Sequence, residues 1–278
     1  MRASIGALFV YPVKSCGGIH VDSAVLTQRG LLYDREWMIV EATGNPARFL
    51  TQREIPRLAL VETALTKAGL TLAAAGMESI TVDFGATGAA QTVVIWRDTV
   101  SALDQGEQVA QWLSTLVGRA VRLVRFEPNF RRWCNPQYAG EGVAHTAFAD
   151  GYPLLVVGGQ SLADLNRRLI EQGTVALPMN RFRPNLVVDG IEAYDEDHMR
   201  TLTLGETVLR LVKPCVRCQI TTTDQATAQV GVEPLLTFAG YRSHDALGGV
   251  TFGMNAIVAA GAGSTLACGA ALEVDWAF

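Results

Sequence analysis

Thr207-Val208-Leu209-Arg210-Leu211-Val212 has the two-residue period of a strand and runs straight into Lys213-Pro214-Cys215-Val216-Arg217-Cys218-Gln219-Ile220-Thr221-Thr222-Thr223-Asp224. Pro214 has no amide proton to give to a ladder, so it is expected to end the strand and turn the chain. The β-branched run Thr221 to Thr223 favours a second strand after the turn. Two thiols and two cations then sit on a short connection, and such a turn can offer a thiolate to an electrophile or a metal. Three readings compete. A zinc half-site needs two more ligands, and His20, His145, His198 and His244 show no paired spacing. A redox dithiol normally opens a helix, where this sequence predicts a strand. A single thiolate bound to a cofactor-borne metal needs only a soft ligand, with cations nearby for an anionic cofactor tail.

The 278 residues allow one large β-rich domain or two smaller ones. With 49% hydrophobic and 18% charged residues, the chain is globular in composition. Its net charge of −4 gives no basis for nucleic-acid binding. No apolar run reaches the roughly 18 residues that span a bilayer, so no membrane association is expected. The apolar N-terminus is interrupted early by Tyr11-Pro12-Val13-Lys14 and reads as a first strand, not as a leader, so the protein is expected in the cytoplasm. Five cysteines, Cys16, Cys134, Cys215, Cys218 and Cys268, suit a reducing compartment better than a disulfide framework.

Working outward, most of the chain reads as strand. Ile5 to Val10, Ile19 to Leu26, Glu36 to Val40, Val121 to Phe126, Leu186 to Val188 and Val250 to Val258 carry strand patterns. Lys67-Ala68-Gly69 is expected to turn a hairpin, and Ile80 to Phe84 is expected to pair with Gln91 to Trp96. Between 106 and 118 the period changes, and Val109, Trp112, Leu113, Leu116 and Val117 fall on one helical face. Residues 127–149 are expected to form a long connection, in which Arg131 and Arg132 make either a basic lip or a plain surface loop. After a buried strand ending in Gly158-Gly159, Ser161 is expected to cap a helix. That junction suits an anion, or equally tight packing. Lys14 and Ser15, at a bend before Gly17-Gly18, suit an oxyanion unless Lys14 is simply solvated. Arg35 pairs with Asp34 or points into a site. Arg181 and Arg183, two apart, face one side if extended. Many short strands with few helices make the fold mainly β with a few helices (α+β), a barrel or sandwich.

Several motifs together resemble the two-part MOSC proteins, in particular the mitochondrial amidoxime-reducing component and its bacterial relatives. They are Tyr11-Pro12-Val13-Lys14-Ser15-Cys16, Asp34-Arg35-Glu36-Trp37, Thr51-Gln52-Arg53, Phe148-Ala149-Asp150-Gly151-Tyr152-Pro153-Leu154-Leu155, Ser161-Leu162-Ala163-Asp164-Leu165-Asn166, Arg181-Phe182-Arg183-Pro184-Asn185 and Cys215-Val216-Arg217-Cys218 with Thr221 to Asp224. Each is short, and their number, order and spacing over nearly the whole chain carry the resemblance. It implies an N-terminal β-barrel-like domain over residues 1–126, whose first strand is open to joining the second domain, and a β-barrel MOSC domain over 127–278. It also implies a molybdenum cofactor, Mo-molybdopterin, held by one protein thiolate. Cys218 falls on the metal-binding cysteine and is the implied metal ligand and catalytic centre. Lys14, Ser15, Arg35, Arg183 and Asn185 fall on positions that hold the pterin and its phosphate, with Arg217 beside the metal ligand. Cys215 is expected to pack or to oxidise. Asp224 is expected to hydrogen-bond behind the ligand or deliver a proton, a catalytic role. The implied activity is reduction of small N-hydroxylated substrates (amidoximes, hydroxylamines, N-hydroxylated bases). The chain carries no iron–sulfur domain, so its electrons are expected from a separate reductase, ferredoxin or flavoprotein, and a monomer is expected. MOSC domains also end pyridoxal-phosphate-dependent cofactor sulfurases, so the alternative is a carrier of cofactor or sulfur without reductase activity.

Overall fold

The strand Thr207–Val216 is the spine of the larger of two barrels. The computed structural model describes residues 3–86 and 88–277, and these are mainly strand with four α-helices. Around the larger barrel the strands run Leu154–Gly158, Leu186–Asp189, Ala3–Val10, Ala271–Trp276, Met199–Leu204, Thr207–Val216 and Gly249–Ala260. The ring closes where Leu154, Leu155 and Val156 pair with Ala256, Asn255 and Met254. Closure needs Gly253: its φ is +74°, and a Cβ there would meet the Val156 carbonyl oxygen at 2.6 Å. Ile5, Leu8, Val156, Val188, Leu209 and Ala256 fill the interior, as the alternating pattern requires.

Pro214 does not end its strand. The strand continues to Val216, with Lys213 opposite Asn255, Pro214 opposite Met254 and Val216 opposite Thr251. Register shifts between Leu211 and Lys213 and between Pro214 and Val216 make this stretch irregular, the kind of place where a strand tolerates a proline. The expected second strand is also absent. Gln219–Thr222 form a 3₁₀ turn, because Thr221 Oγ1 and Thr222 Oγ1 donate to the carbonyls of Cys218 and Gln219, both at 2.9 Å. Local hydroxyl bonding of this kind outcompetes β propensity.

The first strand belongs to the larger barrel, pairing with Leu186–Asp189 and Ala271–Trp276. The smaller barrel-like sheet runs Trp37–Glu41, Val121–Phe126, Asp98–Asp104, Ala90–Ile95 and Ala47–Arg48, nearly closed by the bridge from Val40 to Phe49. Trp37, Met38, Ile39 and Val40 are all buried. Trp37 and Ile39 pack with Leu113 of the helix Glu107–Val117, while Met38 and Val40 pack with Val93 and Phe126. Burial on both faces explains the unbroken apolar run. Ile80–Val82 pairs with Leu70–Ala73, and Ala90–Ile95 with Asp98–Asp104, so the expected pairing of 80–84 with 91–96 does not form.

Ser161 is not an N-cap. The helix Gly159–Glu171 starts two residues earlier, capped at Gly158. Ser161 Oγ instead donates to Glu196 Oε2 at 2.7 Å, and Glu196 Oε1 accepts the Gly158 N–H at 3.0 Å. A carboxylate of the chain itself occupies the place where an anion was conceivable. Arg132 is likewise no lip: it is buried, bonded to Asp98 Oδ2 at 2.6 Å and to the carbonyls of Ala147, Ala149 and Asp150.

Glu196→Ala is expected to lower stability by about 2–3 kcal/mol, because it strands two buried donors. Burial raises the Glu196 carboxyl above its ordinary range despite those bonds. A raised folded pKa gives stability that is complete in acid and lost as pH climbs through the raised value. The gap between wild type and variant in urea denaturation should therefore narrow from pH 5 to pH 8; a gap that widens would refute this account.

Candidate functional site

After Val10 the chain leaves the larger barrel and crosses to the smaller one. Val13 bridges Trp37, and the crossing is zipped: Arg35 N–H donates to the Tyr11 carbonyl (2.8 Å), Trp37 N–H to Pro12 (3.0 Å) and Lys14 N–H to Trp37 (2.8 Å). Asp34 Oδ1 accepts the Tyr11 N–H at 2.8 Å, and Asp34 Oδ2 accepts from Arg35 Nη1 at 2.6 Å. Asn185 locks the far side. Its N–H donates to Leu155, its carbonyl accepts from Phe9, and its side chain bonds Arg35 Nη1, the Leu155 N–H and the Phe9 carbonyl.

A cleft of about 830 Å³, counting its open mouth, lies at this crossing. Lys14, Ser15, Arg35, Arg183, Asn185, Arg217 and Cys218 all line it. These positions, spread over two hundred residues, were each singled out in the sequence, and the fold brings them together. Among the described residues on the wall, Lys14, Arg35, Arg183 and Arg217 are cations and Asp150 is the one carboxylate, so the balance is positive in a chain of net charge −4.

The backbone around the cleft is strained. Seven described non-glycine residues have positive φ, and four of them, Ser15 (69°), Arg35 (46°), Trp96 (55°) and Arg183 (55°), line the cleft. Each such conformation costs about 1–2 kcal/mol and persists only where the surroundings over-determine it. Gln52 does this for Ser15, donating to its carbonyl at 2.7 Å. For Arg183 the anchor is Nη1, which donates to the Cys16 carbonyl at 2.7 Å. The left-handed Arg183 also breaks the extended geometry that would have aligned it with Arg181. Arg181 turns away to Asp224 Oδ2 at 2.8 Å.

Arg35 and Arg183 both sit over the Tyr11 ring, 4.2 and 4.3 Å from its centroid. Burial pushes the Tyr11 hydroxyl up to about 12 although both guanidiniums pull the other way. Burial and then Arg35 push Arg183 down to about 10. Arg183 Nη2 and Arg217 Nε are buried without a hydrogen-bond partner among the described residues. Two buried cationic donors left unpaired are what an anionic ligand would satisfy.

Lys14 Nζ donates to the Phe148 carbonyl at 2.8 Å and to Asp150 Oδ1 at 2.5 Å. Burial lowers the ammonium, partly offset by Asp150. Burial pushes the Asp150 carboxyl up, but the Lys14 charge and the bonds from Lys14 and Trp96 outweigh it and hold the group well below the usual carboxylate range.

Both thiols of the turn line the cleft. Cys218 Sγ has no hydrogen-bond partner among the described residues, whereas Cys215 Sγ accepts from Arg217 Nη1 at 3.0 Å. Arg217 therefore addresses the neighbour and not the expected ligand, and Arg217 Nη2 is tied to the Phe182 carbonyl at 2.7 Å. Cys16 and Cys134 are buried, and burial pushes their thiols up to about 12 and 11. Asp224 is not among the residues that line the cleft; its Oδ1 accepts the Ala226 and Thr227 N–H groups at 2.9 Å and its Oδ2 accepts from Arg181, so it holds the turn from behind. Among the described residues no three His, Cys, Asp or Glu side chains form a group that could hold a metal ion, which leaves the zinc half-site without a ligand set.

Residues 2–120 match the model of the MOSC N-terminal beta barrel domain, and residues 144–273 match that of the MOSC domain. Mitochondrial amidoxime-reducing component 1 from Homo sapiens is 34% identical over 252 residues, covering 87% of this chain and 73% of that protein. The chain belongs to the MOSC family. Molybdenum cofactor sulfurase from Danio rerio is also 34% identical, over 272 residues, but those cover only 31% of that longer protein. In this MOSC chain several wall residues escaped sequence reasoning, among them Thr51, Trp96, Asp150 and Asn255. Asp150 stood inside a quoted motif without a role. Trp96 carried a usable signal, a bulky residue at a hairpin tip. No helix among the described residues is long and apolar enough to cross a membrane.

A carboxyl with depressed pKa gives stability that is complete above its unfolded value, near 4, and is lost as pH falls towards the folded one. Asp150→Asn should therefore destabilise the protein at pH 7 and flatten the fall in stability below about pH 4. Urea midpoints against pH for both proteins check this, and parallel curves would remove the Lys14–Asp150 pair from the account.

Proposed function

We propose that this chain binds a molybdenum cofactor in the cleft between the barrels and reduces N-hydroxylated compounds with electrons from a separate protein. The observation that carries this reading is the convergence of Lys14, Ser15, Arg35, Arg183, Asn185, Arg217 and Cys218 on one wall. The cleft suits an anionic, metal-bearing group on three counts. It offers a thiol without a hydrogen-bond partner, four cations against one carboxylate, and two buried guanidinium nitrogens without partners. Likeness to amidoxime-reducing components points the same way.

Cys218 would be the metal ligand, a soft thiolate donor. Lys14, Arg35 and Arg183 would hold the phosphate and pterin, with Ser15 and Asn185 supplying neutral contacts. The bound molybdenum would supply the two-electron chemistry that breaks an N–O bond. Overall, an N–OH group, two electrons and two protons yield an N–H group and water. The chain's own part is to fix the ligand, neutralise the phosphate and orient the substrate at the mouth. Strained residues held by Gln52, Cys16 and Asp34 make that wall preorganised, so no reordering is needed on binding.

The test is protein purified from a cofactor-competent host, with molybdenum and pterin measured and an aryl amidoxime reduced by an artificial electron donor. Cys218→Ala should abolish reduction and molybdenum retention, while Cys215→Ser should be mild. Arg183→Ala should weaken cofactor retention by about 10- to 100-fold, the worth of a hydrogen bond to a charged group. Full activity of Cys218→Ala would sink the assignment. Bound cofactor without turnover would favour a carrier, in line with the likeness to cofactor sulfurases.

A further inference from the structure

Trp96 stands where a side chain is least welcome. Strands Ala90–Ile95 and Asp98–Asp104 pair up to Ile95 opposite Asp98, which leaves Trp96 and Arg97 as a two-residue hairpin loop. Trp96 has a φ of +55° and Arg97 does not share the positive sign. In a loop of that kind the first position is normally glycine. A tryptophan held there against its backbone preference, at a cleft, points to a use for the ring.

The ring's surroundings show the use. Trp96 lines the cleft at the tip of the smaller barrel and is 38% exposed. Its Nε1 donates to Asp150 Oδ1 at 3.1 Å, the same oxygen that takes Lys14 Nζ. Phe49 meets it edge-on, with centroids 4.9 Å apart, and the Arg53 guanidinium lies 4.6 Å from its centroid. Arg53 is not among the cleft-lining residues, and Lys14 Nζ, which is, lies 5.8 Å from the same centroid. An aromatic ring held by Asp150, Phe49, Arg53 and Lys14 and still 38% exposed at a polar cleft is a stacking platform.

We propose that Trp96 is the specificity-determining wall of the substrate mouth, selecting flat, conjugated N-hydroxylated compounds over small aliphatic hydroxylamines. This rests on the reductase reading above and adds the substrate class. The smaller barrel then contributes specificity, while the larger barrel contributes the thiol. Trp96 is a positioning residue: it touches the substrate's flat body and leaves the N–OH end to the cleft.

Three variants separate this role from a structural one. Trp96→Gly suits the hairpin and should leave the thermal midpoint unchanged or higher, but the ratio of kcat/KM for an aryl amidoxime to that for an aliphatic hydroxylamine should fall about tenfold, mainly through KM. Trp96→Phe keeps a ring but loses the bond to Asp150, and should keep most of that ratio. Arg53→Gln should lower it less than Trp96→Gly. If Trp96→Phe behaves like Trp96→Gly, the indole serves only to hold Asp150 and the proposal falls. It falls also if Trp96→Gly leaves the ratio unchanged. A second readout does not need turnover. Benzamidine, flat and not reducible, should quench the indole emission of the cofactor-loaded protein, acetamidine should not, and Trp96→Phe should lose the benzamidine signal. A protein that fails to reduce any N-hydroxylated compound but shows this quenching would overturn the reductase reading and leave the flat-ligand wall standing. Turnover with no benzamidine-specific quenching would do the reverse.

Discussion

Asp34 holds its carboxylate at the crossing between the barrels, one oxygen on the Tyr11 N–H and the other on Arg35. The rest of the site follows from that placement. Tyr11 and Arg35 are fixed relative to each other, so Arg35 is forced into a left-handed conformation and reaches Asn185 and the Arg183 carbonyl. Asn185 in turn ties Phe9 to Leu155, the two sides of the larger barrel that flank the cleft. A buried carboxylate with both oxygens bonded is costly to disturb, because removing one partner leaves the other group unsatisfied. The crossing is therefore rigid, and its rigidity positions side chains that come from four separate parts of the chain.

Positive charge is the second organising feature. Arg35 and Arg183 approach one tyrosine ring, and Arg183 is pushed down to about 10 by burial and by its neighbour. Cation–π contact offsets part of that repulsion, by about 1–2 kcal/mol per guanidinium at a desolvated site. The remainder is a standing preference for an anion, which any phosphate-bearing ligand would relieve. The chain's net charge of −4 conceals this, because four cations meet one carboxylate on the described cleft wall.

Legibility of the sequence varied with the range of the forces involved. The period-two pattern of Ile5 to Val10 and the helical period between 106 and 118 were readable because each element buries mainly one face or stripe. The readings that failed lay where a local preference met a specific partner. Pro214 stays in a strand because the register shifts around it. Thr221 and Thr222 bond backward and make a 3₁₀ turn. Ser161 serves Glu196, thirty-five residues away.

The sequence by itself determined the β-rich class, the helix Glu107–Val117 and the MOSC resemblance, since these depend on side-chain type and short spacing. The tertiary structure decided which groups those wall residues face. It put Arg217 on Cys215, left the Cys218 thiol without a hydrogen-bond partner among the described residues, turned Arg181 away from Arg183 and set Trp96 in the cleft wall. Those outcomes depend on backbone angles and barrel closure, where a single left-handed residue redirects a side chain by several ångströms, and no pattern of residue types encodes that direction.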